Sequence, residues 1–333
     1  MTEKMKILIA YDGSDCAEAA LDDLQRAGMP EIAEALVMAV TEIWLPPPPP
    51  STYEILALAN AVYVPTDMTR LYAQGSHALE EAQSLADRAA ARLRTNFPEW
   101  QITAQASVGS PRRELIRQAD EWKPDLIVVG SHGRSMVGRL VLGSVSQGVL
   151  THARCSVRVA RGRVEEPGTP VRMVIGVDGS PESAAAVSEV ASRRWPSMSE
   201  VRLIAANDLL TPTFVGRLIP PVGKVIEETN QGEREWLKKV LENSCDRLRQ
   251  SGLKVSSEIR EGDPKLALVE AAESWGADCL FVGSLSFSNR FERFLLGSVS
   301  AAVAARAHCS VEVVRLRKHT GGNDERQFEY SRN

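Results

Sequence analysis

The sequence predicts an α/β protein: two tandem, doubly wound domains, each a five-stranded parallel sheet with helices on both faces. Three observations carry that expectation. The chain contains one long internal repeat. Within each copy, short apolar runs alternate with longer amphipathic stretches, the βαβ pattern of a parallel sheet. The runs are also continuous, as in "DLIVVG" over 125–130, which suits strands buried on both faces.

The repeat is read from three blocks in the same order. "ILIAYDGSDCAEAAL" (7–21) matches "MVIGVDGSPESAAAV" (173–187) at an offset of 166. "GSPRRELIRQADEWKPDLIVVGS" (109–131) matches "GDPKLALVEAAESWGADCLFVGS" (262–284) at an offset of 153, without a gap. "LGSVSQGVLTHARCSVRVAR" (142–161) matches "LGSVSAAVAARAHCSVEVVR" (296–315) at an offset of 154. The chain therefore divides into a domain over 1–162, a second over 170–316 and a polar tail over 317–333. The linker "RGRVEEPGTP" (161–170) is short, polar and closed by prolines.

In the first copy, "MKILIAY" is a buried strand and "CAEAALDDLQRA" a helix. "EALVMAV" is the next strand, and "HALEEAQSLADRAAARLR" a long amphipathic helix. "QITAQASV" alternates as a strand. "PRRELIRQADEW" is a helix with Pro111 early, where a missing amide is tolerated. "DLIVVG", "GSVSQGVLTHAR" and "SVRVA" complete the order as strand, helix and strand. Leu115, Ala119 and Trp122 recur as Leu268, Ala272 and Trp275. Their spacing of four then three places them on one helix face, directed at the sheet. Both tryptophans are thus expected in the core.

Bulk properties narrow the function. The 333 residues carry 39 Lys and Arg against 43 Asp and Glu, a net charge of −4. No basic stripe stands out, which argues against nucleic acid as the main partner. No apolar run approaches the roughly 18 residues of a membrane span. "MTEKMKILIA" lacks a signal-peptide layout, and five scattered cysteines make neither a disulfide framework nor a zinc spacing. The expected location is a reducing cytoplasm.

The chemistry-bearing stretch is "VVGSHGRSMVGRLVLGSVS" (128–146), which directly follows a buried strand. In a doubly wound sheet, ligands sit at the carboxyl ends of strands, where the winding reverses. Gly130 ends the strand, and Gly133 permits a positive φ or close approach of a phosphate. Gly143-Ser144 opens a helix whose free amides suit an anion, with Ser144 and Ser146 as hydroxyl donors. A bare strand end and a serine cap would look similar. Neither a Walker loop nor a G-x-G-x-x-G fingerprint is present. "YDGS" and "VDGS" put Asp12 and Asp178 at the end of the first strand of each copy. Those carboxylates either shape a turn that leads into a serine cap or face the crevice as acceptors for a nucleoside.

These residues resemble the universal stress protein family. Gly130, Gly133, Gly143 and Ser144 are similar to the signature of its ATP-binding branch: Gly, two residues, Gly, nine residues, Gly-[Ser/Thr]. The "DGS" turn and the last strand "CSVRVAR" resemble the family too. The resemblance spans roughly 3–316 and implies strand order 3-2-1-4-5, with the switch point between strands 1 and 4. It implies ATP, with or without Mg²⁺, as the cofactor. Asp12 and the backbone of Val40 would hold the adenosine end. Val129, Gly130, His132 and Gly133 would line the ribose and phosphate loop. Gly143, Ser144, Val145 and Ser146 would bind the phosphates. His132 is read either as a side-chain contact or as a solvent-exposed loop residue whose backbone, not its ring, makes the contact. Arg134 and Arg139 either help neutralise phosphate or are simply solvated. The last strands would pair across a two-fold, here within one chain as a pseudo-dimer; whether two chains associate into a homodimer is left open.

The second copy keeps Asp178, Gly283, Gly297, Ser298, Val299 and Ser300 but has no glycine at the place of Gly133. "SLSFSN" fills that loop with Phe287 and an extra residue, and Glu292 follows. The first copy is expected to bind ATP and the second weakly or not at all. No metal site and no catalytic group are expected, and turnover would be slow or absent. The functional expectation is a nucleotide-dependent regulator or stress-response factor. A scaffold without nucleotide, and an adenylating enzyme of the ATP-pyrophosphatase type, are the alternatives. The latter lacks its paired glycines in "YDGSDC". "WLPPPPPSTYEILALANAVYVP" (44–65) is expected as a stiff connection, with a partner-docking site or a lid as the sharper reading. Cys155 and Cys309 are expected to be buried small hydrophobes.

Overall fold

The structure, a computed structural model, describes residues 4–42, 66–133, 142–161, 168–207, 220–284 and 296–316. The first half runs β1 (Met5–Ala10), α1 (Asp15–Leu24), β2 (Ala33–Thr41), α2 (Thr66–Asn96), β3 (Gln101–Val108), α3 (Pro111–Trp122), β4 (Leu126–Gly130), α4 (Ser144–His152) and β5 (Ser156–Ala160). The second runs β6 (Arg172–Gly176), α5 (Pro181–Ser192), β7 (Glu200–Asn207), α6 (Pro220–Gln250), β8 (Lys254–Glu261), α7 (Pro264–Trp275), β9 (Cys279–Gly283), α8 (Ser298–Arg306) and β10 (Ser310–Val314). The proline-rich stretch 44–65 and the tail 317–333 lie outside the described residues.

Each half is a parallel sheet in order 3-2-1-4-5, as expected. The halves join into one ten-stranded sheet, β3-β2-β1-β4-β5-β10-β9-β6-β7-β8. All pairs are parallel except β5 with β10, which is antiparallel. Strands that would be edges in isolated halves thereby become the centre of the sheet. Their buried amides find partners across the seam instead of being left open to another chain.

Three apolar layers cover the sheet. On one face, α3 and α4 continue into α7 and α8 over a single core that includes Leu115, Val149, Leu268 and Val303. On the other face the core is divided. α1 and α2 pack through Leu21, Leu24 and Leu93, and α5 and α6 through Val187, Leu241 and Leu248. The gap between those two cores is where the polar seam lies.

Local chemistry explains the element ends. Ser14 and Ser180 cap α1 and α5 by accepting from the amides of Ala17 and Ser183. At the equivalent helix ends after α3 and α7, Lys123 and Gly276 both adopt the left-handed conformation, with φ of 52° and 67°. Two expectations shift. α1 stops at Leu24, short of Ala27, and α2 begins well before His77. Trp122 and Trp275 are only half buried, at the rim of the core. Each carries a cation over its ring: Lys6 at 5.6 Å and Arg202 at 4.4 Å.

Candidate functional site

β1 and β4 are neighbours, and the chain leaves them in opposite directions, so their carboxyl ends open a crevice. Asp12 follows β1. One carboxylate oxygen accepts the Ser14 amide at 3.0 Å, which builds the turn around Gly13, at φ +74°. The other oxygen points across the crevice. A Cβ placed on Gly133 would stand 2.9 Å from Asp12 Oδ2. The turn reading of "YDGS" holds through one oxygen, and the second oxygen faces the loop after β4.

That loop is clasped at both ends. The Gly143 amide donates to Ser131 O at 2.8 Å, and Ser146 Oγ donates to Gly130 O at 2.6 Å. The start of α4 is thereby held against the end of β4. Gly143 is its N-cap, with no side-chain capping bond. The amides of Ser144, Val145 and Ser146 have no intrahelical acceptor, as at any helix start, and with the helix dipole they favour an anion. Ser144 is exposed and Val145 half buried. Val40 sits at the carboxyl end of β2, paired with Ser107, and Val129 is buried in β4.

Gly130 ends its strand as read, and two site residues, Ser146 and His132, differ from their sequence reading. A Cβ on Gly130 would meet Cys16 O at 2.9 Å and Cys16 C at 3.0 Å. The glycine is needed for close approach to the first turn of α1. The hydroxyl proton of Ser146 is committed to Gly130 O, and Ser300 makes the same bond to Gly283 O at 2.7 Å in the second half. His132 is buried at 8% exposure rather than solvated. Its Nδ1 lies 3.0 Å from Ser131 Oγ, and its Nε2 has no hydrogen-bond partner. Burial, reinforced by Arg161, lowers its pKa and favours the neutral ring. The ring lines a cavity of about 790 Å³ on the seam, shared with Cys16, Arg161, Ala277 and Cys309. Its backbone belongs to the crevice loop. A lone histidine in a loop carries no sequence signal for that split. Arg134 and Arg139 lie outside the described residues.

The second half repeats the frame. Asp178 Oδ1 accepts the Ser180 amide at 3.0 Å and the Ser180 hydroxyl at 2.6 Å. Gly283 packs more tightly than Gly130: a Cβ would stand 2.5 Å from Glu182 C. The half-exposed indole of Trp236, from α6, lies directly on Gly179, closer than any added side chain would tolerate. Phe287 and Glu292 lie outside the described residues. Among the described residues no cluster of His, Cys, Asp and Glu could hold a metal. No described helix is long and apolar enough to cross a membrane.

The fold defines a tandem, doubly wound α/β protein with a crevice at the switch point of its first half. The sequence model of the universal stress protein family matches twice, over residues 4–161 and 171–315, and the chain belongs to that family. It is 32% identical over 247 residues to a universal stress protein of Mycolicibacterium smegmatis, covering 72% of this chain and 76% of that one. Bacillus subtilis universal stress protein YxiE is 26% identical over 147 residues, 43% of this chain and 98% of that protein. The crystal structure of a universal stress protein from Archaeoglobus fulgidus superimposes with a TM-score of 0.56 at 17% identity, over 93% of this chain and 96% of that one. That likeness concerns the fold.

Proposed function

We propose that the first half binds an adenine nucleotide, ATP with or without Mg²⁺, that the second half does not, and that occupancy makes the chain a cytoplasmic regulator in a stress response. The observation that carries this reading is the pairing of Asp12 Oδ2 with Gly133 across the crevice, beside the free amides of α4. A carboxylate able to accept from a nucleoside stands next to a glycine that puts no side chain in its way, followed by a helix start suited to phosphate. These residues fit the ligand. Asp12 and the Val40 backbone hold the nucleoside, Val129 through Gly133 line the loop, and Gly143 through Ser146 meet the phosphates by their backbone amides.

The asymmetry rests on the missing glycine and on Trp236. The second half keeps Gly297-Ser298 at the start of α8, but no glycine stands at the place of Gly133. Trp236 already covers the turn after β6. Five free cysteines fit a reducing compartment.

The test is to count and identify the nucleotide released on heat denaturation of the purified protein, before and after incubation with ATP. One adenine nucleotide per chain is expected. None after added ATP removes the nucleotide reading, and two remove the asymmetry. Gly133→Ala places a methyl against the flexible end of Asp12 and is expected to weaken ATP at least about tenfold, ~1.4 kcal/mol, with little change in stability. Unaltered affinity would move the site elsewhere.

A further inference from the structure

We propose that the seam between the halves is selective for unlike partners: β5 of the first half accepts β10 of the second and rejects a second copy of itself, and the reverse holds for β10. The basis is the register. β5 and β10 pair as Val159 with Val311, Arg158 with Glu312 and Val157 with Val313. The repeat aligns Arg158 with Glu312, so the pseudo-two-fold axis passes between these two side chains. In a symmetric pair of either half, each would face its own copy.

Charge is the first selective element. Arg158 Nη1 lies 3.1 Å from Glu312 Oε2, and its other nitrogens bond Asp23 at 2.5 and 3.1 Å. Arg193 also bonds Glu312. Arg158, Glu312 and Arg193 are almost completely buried. Burial opposes the Arg158 charge, yet the flanking carboxylates hold its pKa well above the usual arginine range. Two first halves would set guanidinium against guanidinium, and two second halves carboxylate against carboxylate. Like charges directly opposite on paired strands are destabilising, more so where water is excluded.

Acceptor and size are the second and third elements. Arg158 Nη1 also lies 3.2 Å from Cys279 Sγ. The equivalent residue of the first half is Leu126, which offers no acceptor. Ala27, Gly28 and Met29 align with Arg193, Arg194 and Trp195. Arg193 Nη1 donates to Ala27 O at 3.0 Å, and a Cβ on Gly28 would stand 3.0 Å from the Trp195 ring. Small residues on one side receive large ones from the other. A pair of second halves would bring two large sets together.

Two further pairs of seam bonds do not discriminate. Arg161 N donates to Ser310 Oγ at 2.9 Å and Arg315 N to Ser156 Oγ at 3.2 Å. Arg161 Nη2 reaches Ala304 O, and Arg315 Nη2 reaches Leu150 O. These pairs are related by the axis and would serve any pairing. A general two-fold frame therefore carries three one-way features on it.

Two experiments decide the matter. Glu312→Arg in the intact chain reproduces the arginine-to-arginine axis of a first-half pair. Seam amides of β5 and β10 are expected to lose at least about tenfold in hydrogen-exchange protection relative to those of β1 and β6. Unchanged protection overturns the proposal. Separately, a protease site placed in 162–167 allows the folded chain to be cut. Native mass spectrometry of the cut protein, after mixing with an isotope-labelled batch in mild urea, is expected to show only unlike pairs. Like pairs of either half, or separated halves, overturn it. If Glu312→Arg does not fold, the cut wild-type chain decides alone; if the cut halves do not exchange, the intact variant does.

Discussion

The two halves share a frame and differ where the frame meets something else. Both end their fourth strand on a glycine pressed against the first turn of the first helix of the half. Both clasp that glycine carbonyl with a serine of the helix that follows the loop. Both turn their first loop on an aspartate that accepts from a serine two residues on. The difference lies in the loop between, where Gly133 has no glycine counterpart, and at the seam, where Arg158 meets Glu312. Backbone packing tolerates little change, so duplicated copies keep it. Residues that face a crevice or a neighbour are free to diverge, and these have.

The largest effect expected from this comparison lies at the seam. Glu312→Ala leaves two buried guanidinium groups without their shared carboxylate and should cost about 3–5 kcal/mol in chemical denaturation. Glu189, which aligns with Asp23, is partly exposed in its pair with Arg193. Its change to alanine should cost about 1 kcal/mol or less. Equal losses at the two sites would mean that the seam is not the point of strain.

Next come the paired glycines. Gly283→Ala drives a methyl into the Glu182 backbone at 2.5 Å, and Gly130→Ala meets Cys16 O at 2.9 Å. Each should destabilise by about 1–3 kcal/mol through overpacking, with Gly283 the worse of the two. Denaturation midpoints compare them. If Gly130→Ala weakens ATP while leaving stability untouched, that glycine serves the ligand after all.

The smallest effect is at the helix ends. Lys123 holds the left-handed conformation that Gly276 holds in the other half. Lys123→Gly should stabilise the protein by about 0.5–1 kcal/mol, raising the melting temperature. A decrease would show that the lysine side chain makes up for its backbone cost.

Most of the fold was legible in the sequence because it rests on local patterns. β3, α3 and β5 begin and end where their periodicity says, and strand order follows from the alternation together with the family resemblance. The crevice was half legible. "DGS" and the glycine spacing located it, but they left Asp12 divided between turn and crevice; one oxygen accepts the Ser14 amide and the other faces Gly133. His132 and Ser146 were misread for a shared reason. Whether a polar side chain is free or already bonded depends on a neighbour distant in the chain. For Ser146 that neighbour is Gly130 O, and for His132 it is the cavity formed with the second half. The rim position of Trp122 and Trp275 likewise depends on how far the sheet extends beneath the helix.

By itself the sequence determined the duplication, the α/β class and the place of the glycine loop, since each follows from residue order, hydrophobic period and turn chemistry. Only the tertiary structure decided what lies between the halves. Arg158, Asp23, Arg193 and Glu312 are far apart in the chain, and nothing local marks them as partners. Arg158 and Glu312 meet because antiparallel pairing of β5 with β10 places aligned positions on a pseudo-two-fold axis, and Asp23 and Arg193 join them from the end of the first helix of each half. There each buried charge meets an opposite one on the other strand, in addition to the partner its own half supplies, Asp23 for Arg158 and Arg193 for Glu312.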